Sequence, residues 1–387
     1  MKTLIQRVKI IAQGGVSRLI ISFSNVIVSF MVVRTQSATL WGEVVVYLLI
    51  VDTGFSLVSW GSSPFLLREF SLRPKDISHS LSESLSSRSA LPILFSLGIW
   101  LMPYNIEIKL WLTVWVISRF VYQSFEPLIQ FHRHFIFSSI VEILGLLVLL
   151  MPLLLAMDNV GAETMVFLYS MSTLLKGVVT SFFLRQHLLL VKPTVQFFFQ
   201  AFPFLILTFS GMVQQRADLY SVAVFLGKTD LARYQVFINL LIFAQFTASL
   251  LLSPFAKNIF RLPHASFLKL ERKFIVAGIG LSGLSIFAVY VITHFFYQLE
   301  YSLLLFGLGY FYVLMFYLYL MRNYLLGKQN KQLLAASYSL IVGVFNFLMS
   351  CWFIPNFGLE GALTAGLLAQ ALLVVLYFQN NFNNVRS

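Results

Sequence analysis

Between residues 15 and 378 the chain is a succession of apolar segments, each cut off by a few charged or turn-forming residues. A segment of about twenty apolar residues crosses a bilayer as a helix, and backbone groups left unpaired in hydrocarbon cost several kcal/mol each, so these segments have to be helical. Strands of a membrane barrel would alternate apolar and polar residues, and these do not. Composition agrees: 58% of the residues are hydrophobic and only 11% charged, with a mean hydropathy of +0.83, outside the range of soluble domains.

Twelve spans are expected, near residues 15–33, 44–67, 89–102, 108–126, 138–156, 164–184, 201–226, 232–256, 274–296, 302–321, 333–354 and 359–378. The start, MKTLIQRVKIIAQGG, has the positive flank of a signal peptide, but the apolar run behind it is full-length and shows no small-x-small cleavage site. It reads as an uncleaved first span. With the N-terminus inside, the inner segments collect 19 Lys and Arg residues and the outer loops only Arg34, Lys109, Lys228 and Arg233. The positive-inside rule then places both termini in the cytoplasm. The net charge of +12 belongs mostly to these inner loops, where it meets anionic lipid. No soluble basic domain exists to bind nucleic acid. The loops leave no room for a soluble catalytic domain.

Two halves are also legible. SSPFLLREF (62–70) and LSPFAKNIF (252–260) close the second and eighth spans at an offset of 190. Six spans per half is an even number, so the repeat is a parallel one. The expected division is residues 1–190 and 191–387.

Polar residues run along the spans at helical spacing. Arg18, Ser22, Asn25 and Ser29 form one stripe; Asp52, Ser56, Ser59 and Ser63 form a second. Arg119, Gln123, Glu126 and Gln130 form a third, and Tyr169, Thr173, Lys176 and Thr180 a fourth. Small polar residues commonly join helices in membranes. Charged ones at that depth face a partner or a hydrated interior. Arg18, Arg119, Lys176 and Arg216, with Asn25 and Gln123, are therefore candidate substrate contacts. Asp52, Glu142 and Asp218 are candidate counter-charges or ion-coupling sites. The surplus of cations suits an anionic substrate such as a pyrophosphate.

Within SGMVQQRADLY (210–220), Arg216 and Asp218 lie about 200° apart on a regular helix and so cannot pair with each other. Asp218 is expected on a cavity face, and Arg216 needs a partner on another span or a helix distorted near Gly211. His132 and His134, at i, i+2, point to different sides of a helix and have no carboxylate or Cys pattern beside them, so no metal is expected. No phosphate-binding glycine loop or nucleophile motif is present, and no cofactor is expected. Cys351 has no partner for an intrachain disulfide.

SATLWGEVVVYLLIVDTGFSLVSWGSSPFLLREF resembles the second-span region of bacterial polysaccharide flippases. AFPFLILTFSGMVQQRADLYSVAVFLGKTDLARYQVFINLLIFAQFTASLLLSPF resembles their seventh and eighth spans, with an Arg-x-Asp deep in the first of them. MRNYLLGKQNKQLLAASYSLIVGVFNFLMSCWFIPNFGLEGALTA is similar to their eleventh and twelfth. Ala232 departs from the pattern, standing where the family often has Gly. The resemblance implies the multidrug/oligosaccharidyl-lipid/polysaccharide exporter fold: two six-helix bundles around a central cavity that opens alternately to either side. It implies a flippase of the bacterial inner membrane for an undecaprenyl-pyrophosphate-linked oligosaccharide, an O-antigen or similar repeat unit. The implied partners are a polysaccharide polymerase and a chain-length regulator. Three rivals are a drug/cation antiporter of the same fold, which favours an acidic or apolar cavity, a polysaccharide polymerase, which carries a long periplasmic loop that this chain lacks, and a lipid II flippase, a family that usually has two additional spans.

Overall fold

A computed structural model describes residues 20, 23–155, 160–252, 263–329 and 331–384. Arg18 and nearly all of the second repeat motif, residues 253–260, lie outside them. The described elements are helices, and no strand occurs among the described residues. Among the described residues, seven helical stretches are long and apolar enough to cross a membrane, and helices cover every expected segment. This is a multi-pass, all-α membrane protein. Large apolar side chains such as Ile93, Val178, Phe182, Val224, Phe287 and Trp352 lie exposed along these helices, as surfaces facing lipid should.

The chain divides into two compact units, residues 1–209 and 210–387, where the sequence suggested a division at 190/191. The first helix described in unit 1 is α1 (Phe23–Thr35). There follow α2 (Ala38–Ser59), α3 (Ser62–Leu72), α4 (Ile77–Arg88), α5 (Ala90–Trp100), α6 (Ile106–Ser124), α7 (Glu126–His132), α8 (Phe135–Leu155) and α9 (Ala162–Phe183). Helix α10 (Val195–Phe225) contributes its first part to unit 1 and its remainder to unit 2.

Helix starts follow local chemistry. Ser37 Oγ accepts the Leu40 N–H (3.1 Å) ahead of α2. Asn105 Oδ1 accepts the Ile108 N–H (2.9 Å) ahead of α6, with Glu107 in the first turn. Each satisfies a donor that the first helical turn leaves without a partner.

The segment expected as one span at 44–67 is two helices. The chain breaks at Trp60 and Gly61, both left-handed (φ 48° and 64°). Gly61 is required there: a Cβ would lie 2.3 Å from the backbone N of Leu205. Trp60 is held by its indole N–H, which donates to the Phe198 carbonyl (3.1 Å). Below the break an aromatic core gathers Phe65, Phe70, Phe125 and Phe197 around Leu66, Leu81 and Leu128. Helix α6 packs against α9, α9 against α8, and α2 against α6.

Unit 2 contains the end of α10, then α11 (Lys228–Leu252), α12 (His264–Val291), α13 (Leu303–Lys328) and α14 (Gln332–Asn384). A wide helical turn, Ile292–Tyr297, closes α12. The two last expected spans are continuous in α14 except at Gly358, whose φ of 57° and ψ of −132° bend it. Buried Glu271 of α12 and Arg322 of α13 form a two-pronged ion pair, Nε to Oε1 and Nη2 to Oε2 (2.7 Å), with Arg322 also over the Phe378 ring.

The reading of His132 and His134 as diverging assumed a single helix, and the structure corrects it. Helix α7 stops at His132, and Arg133 is left-handed (φ 60°), so the chain reverses. The two rings come within 5.8 Å, and His187 stacks on His132 at 5.4 Å. Ser78 Oγ and His187 Nδ1 are 3.3 Å apart. No group of metal-ligating residues forms among the described residues. Burial, then the neighbouring His187 and His134, holds the His132 imidazole below its ordinary value. The unfolded chain therefore binds the proton more readily, and the stabilisation present above about pH 6.5 is lost as pH falls. Thermal unfolding in detergent at pH 7.5 and 5.5 should show this loss in the wild-type chain and a smaller one in His132→Gln.

Candidate functional site

The polar stripes of unit 1 meet where α2, α6, α8 and α9 pack together. On α2, Asp52 lies one helical turn ahead of Ser56, whose hydroxyl donates to the Asp52 carbonyl (2.8 Å). Facing it on α6, Arg119 Nη1 is 2.6 Å from Asp52 Oδ1. Arg119 Nε also donates to Gln123 Oε1 (3.4 Å), and its guanidinium lies over the Phe55 ring at 5.1 Å. Both members of this pair keep part of their surface open, 21% for Arg119 and 29% for Asp52.

The second pair is deeper. Lys176 Nζ of α9 donates to Glu142 Oε2 of α8 (2.6 Å), and the Tyr122 O–H of α6 donates to Glu142 Oε1 (2.6 Å). Glu142 is only 6% exposed in its side chain. A glycine makes this approach possible. A Cβ at Gly145 would lie 2.0 Å from Lys176 Cε, so a side chain there would make the flexible end of the lysine shift from its present path across α8. Ser172 Oγ donates to the Gly145 carbonyl (2.8 Å) and holds the two helices in this register.

A third cation, Arg88 at the end of α4, is 1% exposed. Its Nε donates to the Ser84 carbonyl (3.1 Å) and hydroxyl (3.2 Å), Nη1 to the Ser59 carbonyl (3.2 Å), and Nη2 to Ser124 Oγ (3.2 Å). The rings of Phe120 and Phe197 stand 5.1 and 6.0 Å from its centre. No carboxylate pairs with it among the described residues. Arg88 lines a cavity of about 130 Å³ together with Ser59, Ser62, Ser63, Gln123 and Ser124.

In unit 2, Asp218 is 2% exposed. The Tyr234 O–H donates to its Oδ2, and the Leu219 N–H to its Oδ1 (2.9 Å). Gly366 of α14 leaves room beside it, since a Cβ there would stand 3.6 Å from Asp218 Oδ2. Nearby, Gln245 Nε2 donates to the Tyr312 carbonyl (3.1 Å) and to Gln370 Oε1 (3.4 Å). Asp218 is thus enclosed by helices and not set on an open face. Helix α10 runs unbroken past Gly211, so the distortion considered there is absent. Arg216 has a partner on another helix instead: its Nη1 donates to Asn239 Oδ1 of α11 (3.4 Å).

The structure therefore gathers Asp52, Arg119, Gln123, Glu142 and Lys176 in unit 1, with the first pair joined to Gln123. Asn25 is exposed on α1 and bonded to neither pair. Arg18 lies outside the described residues. Sequence reading missed Arg88, counted as an inner-loop charge, and the Glu271–Arg322 pair. The spacing of Ser84 and Arg88 at i, i+4 was a signal: it puts an arginine and its acceptor on one face of a helix.

No protein-family model matches the chain, and no curated protein matches it. Solved structures do. An inward-facing multidrug resistance transporter of the MATE family, in the MOP superfamily, aligns with a TM-score of 0.67 at 10% identity, over 95% of this chain and 98% of that one. The lipid II flippase MurJ in an inward closed conformation aligns at 0.62 and 12% identity, over 95% and 87%. The chain has the fold of these proteins. A eukaryotic MATE transporter agrees, at 0.59 and 13% identity over 96% and 95%.

Gly145→Ala makes Lys176 shift, which should weaken its bond to buried Glu142. Thermal unfolding should register a loss of up to about 3 kcal/mol. The same substitution in a Lys176→Met background should cost clearly less.

Proposed function

We propose that this chain is a flippase that moves an undecaprenyl-pyrophosphate-linked oligosaccharide from the cytoplasmic to the periplasmic leaflet of the bacterial inner membrane by alternating access. The observation that carries the reading is the sign of the interior of unit 1. Arg119 is paired with Asp52 and Lys176 with Glu142, whereas buried Arg88 has no carboxylate at ion-pair distance among the described residues, the exposed Glu126 only lining the same cavity. A pyrophosphate and a string of sugar hydroxyls do not cross hydrocarbon unaided, because each buried unpaired polar group costs several kcal/mol. A cationic, hydroxyl-lined interior replaces the lost water contacts while the lipid tail stays in the bilayer. The fold supports the reading, since one structure that shares it is that of a lipid II flippase. The chain then works without covalent change to its cargo, beside a polysaccharide polymerase and a chain-length regulator.

In this mechanism Arg119 is a switchable contact, partly open to water and held by Asp52 at rest. Lys176 and Glu142 are too enclosed for the same use and fix α8 against α9. Arg18 and, in unit 2, Arg216 are further proposed substrate contacts.

One observation favours a second reading, a drug/cation antiporter of the same fold. Asp218 is a buried carboxylate held by a tyrosine O–H and a backbone N–H rather than by a cation, and such a group suits exchange of a proton or a cationic substrate. The MATE transporters supply the corresponding precedent of fold.

Deletion of the gene in its host, followed by extraction of lipid-linked saccharides, separates the two. The flippase reading expects loss of surface polysaccharide, a repeat unit held on the cytoplasmic side, and restoration by the wild-type chain. Intact polysaccharide with raised sensitivity to cationic drugs establishes the antiporter instead.

A further inference from the structure

The broken second span and the unpaired Arg88 face one cavity. Helix α3 begins at Ser62 behind Gly61, which supplies no side-chain cap, and Pro64 has no N–H to offer. The N–H groups of Ser62 and Ser63 therefore stand at a helix N-terminus, the end that attracts negative charge. Discontinuous helices of this kind present their half-helix N-termini to anionic groups in membrane transporters. Arg88 gives an independent indication. A guanidinium has five N–H donors; the four bonds above engage three, and one on each Nη has no acceptor among the described residues.

The lining is otherwise rich in donors. The Ser62 and Ser63 hydroxyls make no hydrogen bond among the described residues, and the Gln123 amide nitrogen is free because Arg119 engages only Oε1. Glu126 also lines the cavity, with Oε1 taken by the Gln130 amide (2.8 Å). Arg88 forms no ion pair with Glu126 or any other carboxylate among the described residues, and a buried cation without a close counter-charge is costly. The cavity, at about 130 Å³, exceeds the roughly 30 Å³ share of one water several-fold. The two remaining N–H groups on separate Nη atoms match the oxygens of a tetrahedral oxyanion better than a spherical halide.

We infer that the cavity between Arg88 and the N-terminus of α3 is a binding site for a phosphate-type oxyanion, either a free phosphate or the phosphoryl end of a polyprenyl lipid. The site stands on the geometry of unit 1; only the lipid source rests on the proposed function. A bound oxyanion neutralises Arg88 and bridges both sides of the Trp60–Gly61 break.

The full chain in phosphatidylcholine nanodiscs provides the test, by thermal unfolding with inorganic phosphate, with chloride at matched ionic strength, and with undecaprenyl phosphate added to the bilayer. A saturable rise in the midpoint with phosphate supports the site with a soluble source; a rise with undecaprenyl phosphate alone supports it with a lipid source. Arg88→Gln should weaken the response by about tenfold or more in apparent Kd, or abolish it. Should Arg88→Gln fail to fold, Ser63→Val keeps every bond of Arg88, narrows the cavity and should weaken the response likewise. No rise with either phosphate, an equal rise with chloride, or a response unchanged in a folded Arg88→Gln or Ser63→Val chain overturns the inference. Loss of polysaccharide export tests the flippase reading separately, so the two fail independently.

Discussion

A charge withdrawn from water into an apolar helix bundle has to find an opposite charge or a full set of hydrogen bonds, and this requirement organises both units. Glu142 brings α8 to α9 through Lys176, and to α6 through Tyr122. Asp52 ties α2 to α6 through Arg119. Glu271 ties α12 to α13 through Arg322. Buried pairs of this kind add little net stability over well-packed apolar residues, but breaking one is costly. Their use here is as register marks between helices, alongside hydrogen bonds such as that of Ser172 to the Gly145 carbonyl. Helices in lipid lack a strong hydrophobic drive toward one particular arrangement.

Against that background two buried groups are exceptions. Arg88 satisfies part of its donors with neutral oxygens and leaves its charge unmatched. Asp218 in unit 2 is a buried carboxylate hydrogen-bonded by a tyrosine O–H and a backbone N–H. The first lies beside a helix broken at Trp60 and Gly61. The second lies beside Gly366, in the same long helix that Gly358 bends. Irregular backbone at membrane depth survives only where it is buried in protein or lines a polar cavity.

Much of this was legible in the sequence. Runs of apolar residues specify helices because lipid leaves the backbone no alternative, and polar stripes at helical period located Asp52, Arg119, Gln123 and Lys176. The partners were less legible, since the choice between pairing and lining a cavity depends on which helices are neighbours. Arg88 escaped because ISHSLSESLSSR reads as a polar inner loop, whereas it folds as α4, whose Ser84 and Arg88 are buried. The break in the second span left no apolar gap to notice; it depends on how closely Leu205 approaches Gly61. The histidines misled because a single left-handed residue, Arg133, undoes the helical spacing on which their separation was argued.

The central claim is that charges inside these units are there as partners. The Glu271–Arg322 pair tests it most directly, being the most enclosed, with side-chain exposures of 4% and 8%. In thermal unfolding of the purified chain, Glu271→Ala should lower stability by about 3–5 kcal/mol, and Glu271→Leu with Arg322→Met should recover most of the loss. A single substitution without effect, or a double substitution as damaging as the single, would contradict the account.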